Sequence, residues 1–112
     1  MNDADVTEVL LVITNLPDPA SAEGLARALI EQRLAACVNV MSPCRSLYWW
    51  KGQIEDAGEV PVFIKTVRAR YAALETCIRE HHPYDLHEII AVPVGQGLPD
   101  YLRWVDEQSS GG

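Results

Sequence analysis

Basic residues are scarce in this 112-residue chain: nine Lys and Arg stand against sixteen Asp and Glu, leaving a formal charge of −7. That balance excludes a general nucleic-acid binder, because attraction to phosphate needs a basic surface, and it disfavours anionic membranes for the same reason. Long apolar runs are lacking as well. The longest, Val9 to Ile13, is far shorter than the roughly 20 residues that cross a bilayer. Cysteine is sparse and odd in number, and Cys37, Cys44 and Cys77 show no CxxC spacing, so neither a disulfide framework nor a zinc ribbon is expected. Cys37 and Cys77 have apolar neighbours and read as small buried hydrophobes. Cys44, between Pro43 and Arg45, is expected to be more exposed and is the one thiol with a reactive reading. The first residues, Met1-Asn2-Asp3-Ala4-Asp5, are acidic where a secretory signal would be basic and then apolar. These absences lead to the expectation of an acidic, soluble, cytoplasmic protein.

What is present is well punctuated. At this length one core is expected, a single domain over residues 1–112 with its core in 8–106 and flexible ends at 1–7 and 109–112. Val9–Ile13 is a continuous aliphatic run, the pattern of a strand covered on both faces, and Asn15-Leu16-Pro17-Asp18-Pro19 is expected to break it. Asp18 can cap a helix with Pro19 in its first turn, and Ala22, Leu25, Ala26, Leu29 and Ile30 give that helix an apolar stripe. Residues 36–41 and 46–50 read as strand around Pro43. Lys51-Gly52 is a two-residue turn into a strand that alternates from Val60 to Thr66, with a bulge expected at Asp56-Ala57-Gly58. A second helix carries Tyr71, Leu74 and Ile78 on one face and ends at His81-His82-Pro83. Residues 88–94 form a further strand, and Leu98, Tyr101, Leu102 and Val105 mark a short terminal helix.

The order β-α-β-β-α-β is the ferredoxin-like α+β pattern, here with a long hairpin between the second and third strands and a short C-terminal helix. The first and last strands are expected together in the middle of the sheet, with two helices on one face. That leaves a difficulty: both strands are apolar on two sides, but two helices cover only one. Tyr48, Trp49 and Trp50 sharpen it, since alternation sends Trp49 to one face and its neighbours to the other. Subunit packing in a closed symmetric oligomer answers both points better than a base-stacking platform, which the acidic charge disfavours.

These residues resemble a known family. Arg33-Leu34-Ala35-Ala36-Cys37-Val38-Asn39, Ser46-Leu47-Tyr48-Trp49-Trp50-Lys51-Gly52, Lys65-Thr66, His81-His82-Pro83-Tyr84, Glu88-Ile89-Ile90, Val92-Pro93-Val94 and Tyr101-Leu102-Arg103-Trp104 occur in the order found in CutA proteins, named for divalent-cation tolerance. The likeness covers about residues 8 to 106. It implies a ferredoxin-like homotrimer built like the PII signalling proteins, a role in metal tolerance with copper binding in some members, and no settled enzymatic activity. In the copper-binding members the ligands are a cysteine late in the first strand and two histidines before the proline. His81 and His82 match the histidines, but Thr14 stands at the cysteine position, which removes the soft thiolate that suits copper(I). His87, where many relatives have proline, adds a third imidazole within seven residues.

The chemical candidates follow. His81, His82 and His87 form an imidazole set for copper or another divalent ion. Adjacent histidines on a regular helix diverge by about 100°, so the set requires the helix end at Pro83 to unwind. Lys65 could hold a small anionic ligand near His81 and Tyr84, or else pair with a carboxylate such as Glu88 in the same or a neighbouring subunit. Glu59 shares its strand face but lies roughly 20 Å away. Gly95-Gln96-Gly97 lacks the third glycine of a dinucleotide loop. No Ser-His-Asp set, Walker loop or carboxylate cage supports an enzyme, and any catalytic trio would have to be built across subunits. A non-enzymatic trimer binding metal or a small ligand near subunit clefts is the leading expectation. A PII-like ligand sensor and a trimeric scaffold for a partner protein stand behind it.

Overall fold

The structure, a computed structural model, describes residues 8–82 and 86–110. Strand β1 (Val9–Leu16) runs antiparallel to both β4 (Gln53–Val67) and β5 (Ile89–Pro93). Two shorter strands, β2 (Cys37–Val40) and β3 (Cys44–Trp50), pair in turn with the inner and outer halves of β4. The sheet order is β2-β4-β1-β5. Helix α1 (Pro19–Glu31) joins β1 to β2, and α2 (Tyr71–His81) joins β4 to β5. Each crosses over one strand, as the ferredoxin-like plan requires. A last helix, α3, spans Pro99–Gln108.

Three expectations are corrected. The first and last strands do pair, but β5 is an edge; the centre is β1 with β4, because each helical crossover must skip a strand. β1 runs on through Asn15 to Leu16, held there by Pro61 and Val60 of β4, so the break falls at Pro17 and Asp18. The bulge at Asp56–Gly58 is absent: Leu47 faces Asp56, Ser46 faces Ala57 and Arg45 faces Gly58 in one-to-one register. The two-residue turn is as read, with Lys51 and Gly52 both at positive φ (51° and 78°), which matches the twist of the flanking strands.

Alternation places the core. Val12, Val62 and Ile64 are fully buried under Leu25 and Leu29 of α1 and Leu74 and Ile78 of α2. Asp18 caps α1 by accepting from the Ser21 N–H at 2.7 Å. At the other end of α1, Leu34 N–H donates to the Leu29 carbonyl and Arg33 N–H to that of Ile30, a Schellman closure with Arg33 at φ 58°.

The opposite face of the sheet is only partly covered. There α3 seats Val105 against Val9 and Val67, at one end. Beyond it Ile90 and Val92 stay exposed, as do Leu47, Trp49 and Ile54 on the projecting β3–β4 ribbon. The ribbon stretches the chain to 50 × 26 × 23 Å. Its radius of gyration, 15.0 Å, exceeds the roughly 13 Å of a compact domain this size.

Candidate functional site

Where α2 ends, the histidines part. His81 is exposed and donates from Nδ1 to the Cys77 carbonyl at 2.9 Å, turning back along its own helix. His82 leaves the helix in an extended conformation, φ −98° and ψ 122°, and is buried with 6% exposure. There its ring meets that of His87 edge-on, centroids 4.9 Å apart at 76°, and His87 donates from Nε2 to the His82 carbonyl at 3.3 Å. Burial pushes the His82 imidazole below its ordinary pKa. A main-chain hydrogen bond at Asn15 and the Glu59 carboxylate oppose that shift, while His87 adds to it. Two of the three imidazoles are thus brought together and the third is not. Among the described residues, no three His, Cys, Asp or Glu side chains converge closely enough for a metal ion.

Lys65 also lies elsewhere. It sits within β4, opposite Leu11 of β1 and Cys37 of β2, not at a strand end beside α2 as the sequence suggested. Its odd position along the alternation sends it to the face away from α2, and its ammonium lies 5.9 Å from the Tyr101 ring of α3. Glu88 accepts from Asn15 Nδ2 at 2.8 Å. Asn15 stands four residues along β1 from Leu11, about 13 Å at the strand rise. Within one chain Lys65 and Glu88 therefore neither pair with each other nor share a cavity. Tyr84, the third residue expected there, lies outside the described residues. Thr14 is fully buried between Val62 and Ile89, and its hydroxyl finds no hydrogen bond among the described residues.

A cleft of about 900 Å³ opens between the ribbon and the segment that leads into β5. Tyr48, Trp50 and Leu86 form apolar walls, and Asn15, Glu59, His87 and Glu88 supply its polar groups. Ser46 and Ala57, facing each other across the ribbon, are small enough to leave the space open. Sequence reasoning did not assign Asn15 or Glu59 to a site. The available signals were a polar Asn inside an otherwise aliphatic strand and a carboxylate next to the run that starts at Val60.

The fold and the placement of these residues can now be set beside known proteins. Residues 10–108 match the family described as CutA1 divalent ion tolerance protein. The chain belongs to the CutA1 family. The divalent-cation tolerance protein CutA of Pectobacterium atrosepticum is 40% identical over 106 residues, 95% of this chain and 96% of that one. The CutA crystal structure from Xylella fastidiosa superposes with a TM-score of 0.87 at 42% identity, covering 89% of this chain and 96% of its own. A structure described as the periplasmic divalent cation tolerance protein CutA from Archaeoglobus fulgidus gives 0.87 at 35% identity, covering 90% and 98%. The ferredoxin-like architecture is therefore that of CutA1. These names describe tolerance of divalent cations and not a catalysed reaction. No helix among the described residues is long and apolar enough to cross a membrane.

Proposed function

We propose that this CutA1 protein acts without catalysis, as a homotrimer serving divalent-cation tolerance in the cytoplasm. The observation that carries the reading is the half-covered sheet. Trp49 is 71% exposed and Leu47 and Ile54 62% each on one ribbon, and Ile90 and Val92 continue the apolar surface onto the body. A monomer leaves such a surface against water, whereas a closed assembly buries it. Sedimentation equilibrium at micromolar concentration tests this directly. A single 12.4 kDa species overturns it, and a species of about three times that mass is expected.

The metal half of the reading rests on His82 and His87. Two converging imidazoles suit copper(II), nickel or zinc, and the divalent order puts copper(II) first. Without a thiolate at Thr14, copper(I) has no soft donor there. The three-imidazole set does not fit as it stands, because His81 points away, so the pair alone makes a weak site within one chain. Calorimetry with copper(II) on wild type and on the His82→Ala, His87→Ala double variant separates the outcomes. Equal affinity in both means the rings are structural. Three free cysteines, Cys37, Cys44 and Cys77, accord with a reducing compartment. Subcellular fractionation tests that placement against the periplasmic description of the Archaeoglobus relative.

A further inference from the structure

The imidazole left out of the histidine pair has a neighbour of its own. His81 brings Nδ1 to 3.8 Å from the sulfur of Cys77, one turn back along α2. Residues four apart share a helix face, and at that spacing two helical side chains can grip one metal ion. Metal bonds of about 2.3 Å to a thiolate and about 2.0 Å to an imidazole span such a gap at an angle of roughly 120°. Opening the angle to a linear arrangement adds about half an ångström to the gap, which the exposed His81 ring can supply.

The surroundings suit a soft cation. Cys77 is buried at 4% exposure in the seam between α1 and α2. Gln32 at the end of α1 points its side-chain amide at the same sulfur, Nε2 to Sγ 3.9 Å, a donor that supports a thiolate. Burial and the Glu80 carboxylate hold the thiol above its ordinary pKa, so it keeps its proton until an ion displaces it. The negative field of Glu80 that opposes a thiolate favours a cation beside it. A firmly held divalent ion takes more donors, and no three His, Cys, Asp or Glu converge among the described residues. One thiolate and one imidazole are enough for a two-coordinate monovalent ion, and thiolate selects the soft ones. The seam lies on the helical layer, across the sheet from Ile90 and Val92, outside the apolar surface assigned to subunit contacts.

We propose that Cys77 and His81 form a two-donor site for a soft monovalent cation of the copper(I) and silver(I) class. Cys77 Sγ binds as the thiolate and His81 Nδ1 is the second ligand. The ion replaces the thiol proton: the S–H bond breaks, the proton leaves to solvent and the sulfur–metal bond forms, with no change of oxidation state. The His81 proton now directed from Nδ1 to the Cys77 carbonyl moves to Nε2, so that Nδ1 presents its lone pair. Neither His82 nor His87 takes part, so the inference goes beyond the divalent reading and does not depend on it.

Silver(I) in chloride-free buffer is the probe, followed by calorimetry and by the His81 ring resonances. A Cys37→Ser, Cys44→Ser background leaves Cys77 as the only thiol. One silver ion per chain is expected, with the His81 Nδ1 resonance shifting on binding. His81→Ala is expected to weaken silver at least about tenfold. Cys77→Ala is expected to abolish the site, with circular dichroism confirming the fold; His81 is exposed, so its variant decides the matter if Cys77→Ala does not fold. His87→Ala, which breaks the other imidazole pair, is expected to leave silver binding unchanged. Undiminished affinity in His81→Ala, an unmoved His81 resonance, stoichiometric binding by folded Cys77→Ala, or no binding by the parent overturns the proposal. Loss of silver in His87→Ala overturns the separation of the two sites.

Discussion

One strand, β4, passes through two environments, and the contrast between them explains much of the molecule. From Val60 to Val67 it is flanked by β1 on one side and β2 on the other, lies under two helices, and alternates between buried and half-buried positions. From Gln53 to Gly58 it has a single neighbour, β3, and no helix over either face. Both halves carry aliphatic residues, but Ile64 is fully buried while Ile54 is 62% exposed. Strand propensity and pairing extend the ribbon as a strand either way. Burial needs a second layer, and along the ribbon one chain does not supply it.

The largest effects should separate the two halves. Ile64→Ala empties a site between two helices and is expected to lower unfolding free energy by about 2–5 kcal/mol at any protein concentration. Ile54→Ala in an isolated subunit should change it by less than about 0.5 kcal/mol. Chemical denaturation at two concentrations checks both, and a concentration-independent loss at Ile54 of the same size would erase the distinction. Replacing Trp49 and Trp50 together with serine is expected to dissociate the assembly, weakening subunit association by about 2–4 kcal/mol, measured by sedimentation. A double variant with unchanged mass would show that the ribbon does not carry the interface.

Smaller changes sharpen the account of the covered half. Thr66 is fully buried and donates its hydroxyl to the Leu34 carbonyl at 2.7 Å, tying the segment after α1 to β4. Thr66→Val leaves that carbonyl without its donor and is expected to cost about 1–3 kcal/mol by thermal or denaturant unfolding. His82 gives the pH dependence. Its folded pKa lies below the ordinary 6.5, so the unfolded chain binds the proton more readily and stability falls as pH drops through and below that value. Above it the contribution is flat. His82→Gln should remove this acid-side slope in melting temperature plotted against pH, and an unaltered slope would assign the titration to another group. The smallest expected effect is a gain. Arg33 holds the left-handed position of the Schellman closure without a glycine's freedom, so Arg33→Gly should raise stability by about 0.5–1 kcal/mol. Among the described residues, its exposed contact with Gln108 is the only hydrogen bond that the side chain gives up.

The elements were largely legible because their signals are local. Asp18 and Pro19 start α1, His82 ends α2 in an extended conformation, and Lys51-Gly52 turns the ribbon, each through the conformations its own backbone can adopt. The site was much less legible. His81 and His82 are neighbours in the chain, but the helix end turns one back to Cys77 and the other inward to His87. Lys65 reads from the sequence as a partner for a carboxylate such as Glu88 of its own or a neighbouring subunit, and within one chain strand parity and register carry the two to different places on the sheet.

By itself the sequence determined the ferredoxin-like order of elements, the family and the excess of apolar surface, since periodicity, capping and turn chemistry act over a few residues. Only the tertiary structure decided which polar groups share a cavity. It set Glu59 in the aromatic cleft, His82 beside His87 and Lys65 under Tyr101. Register, strand order and the skipped strand at each crossover fix those encounters, and all three are settled by packing between segments far apart in the chain.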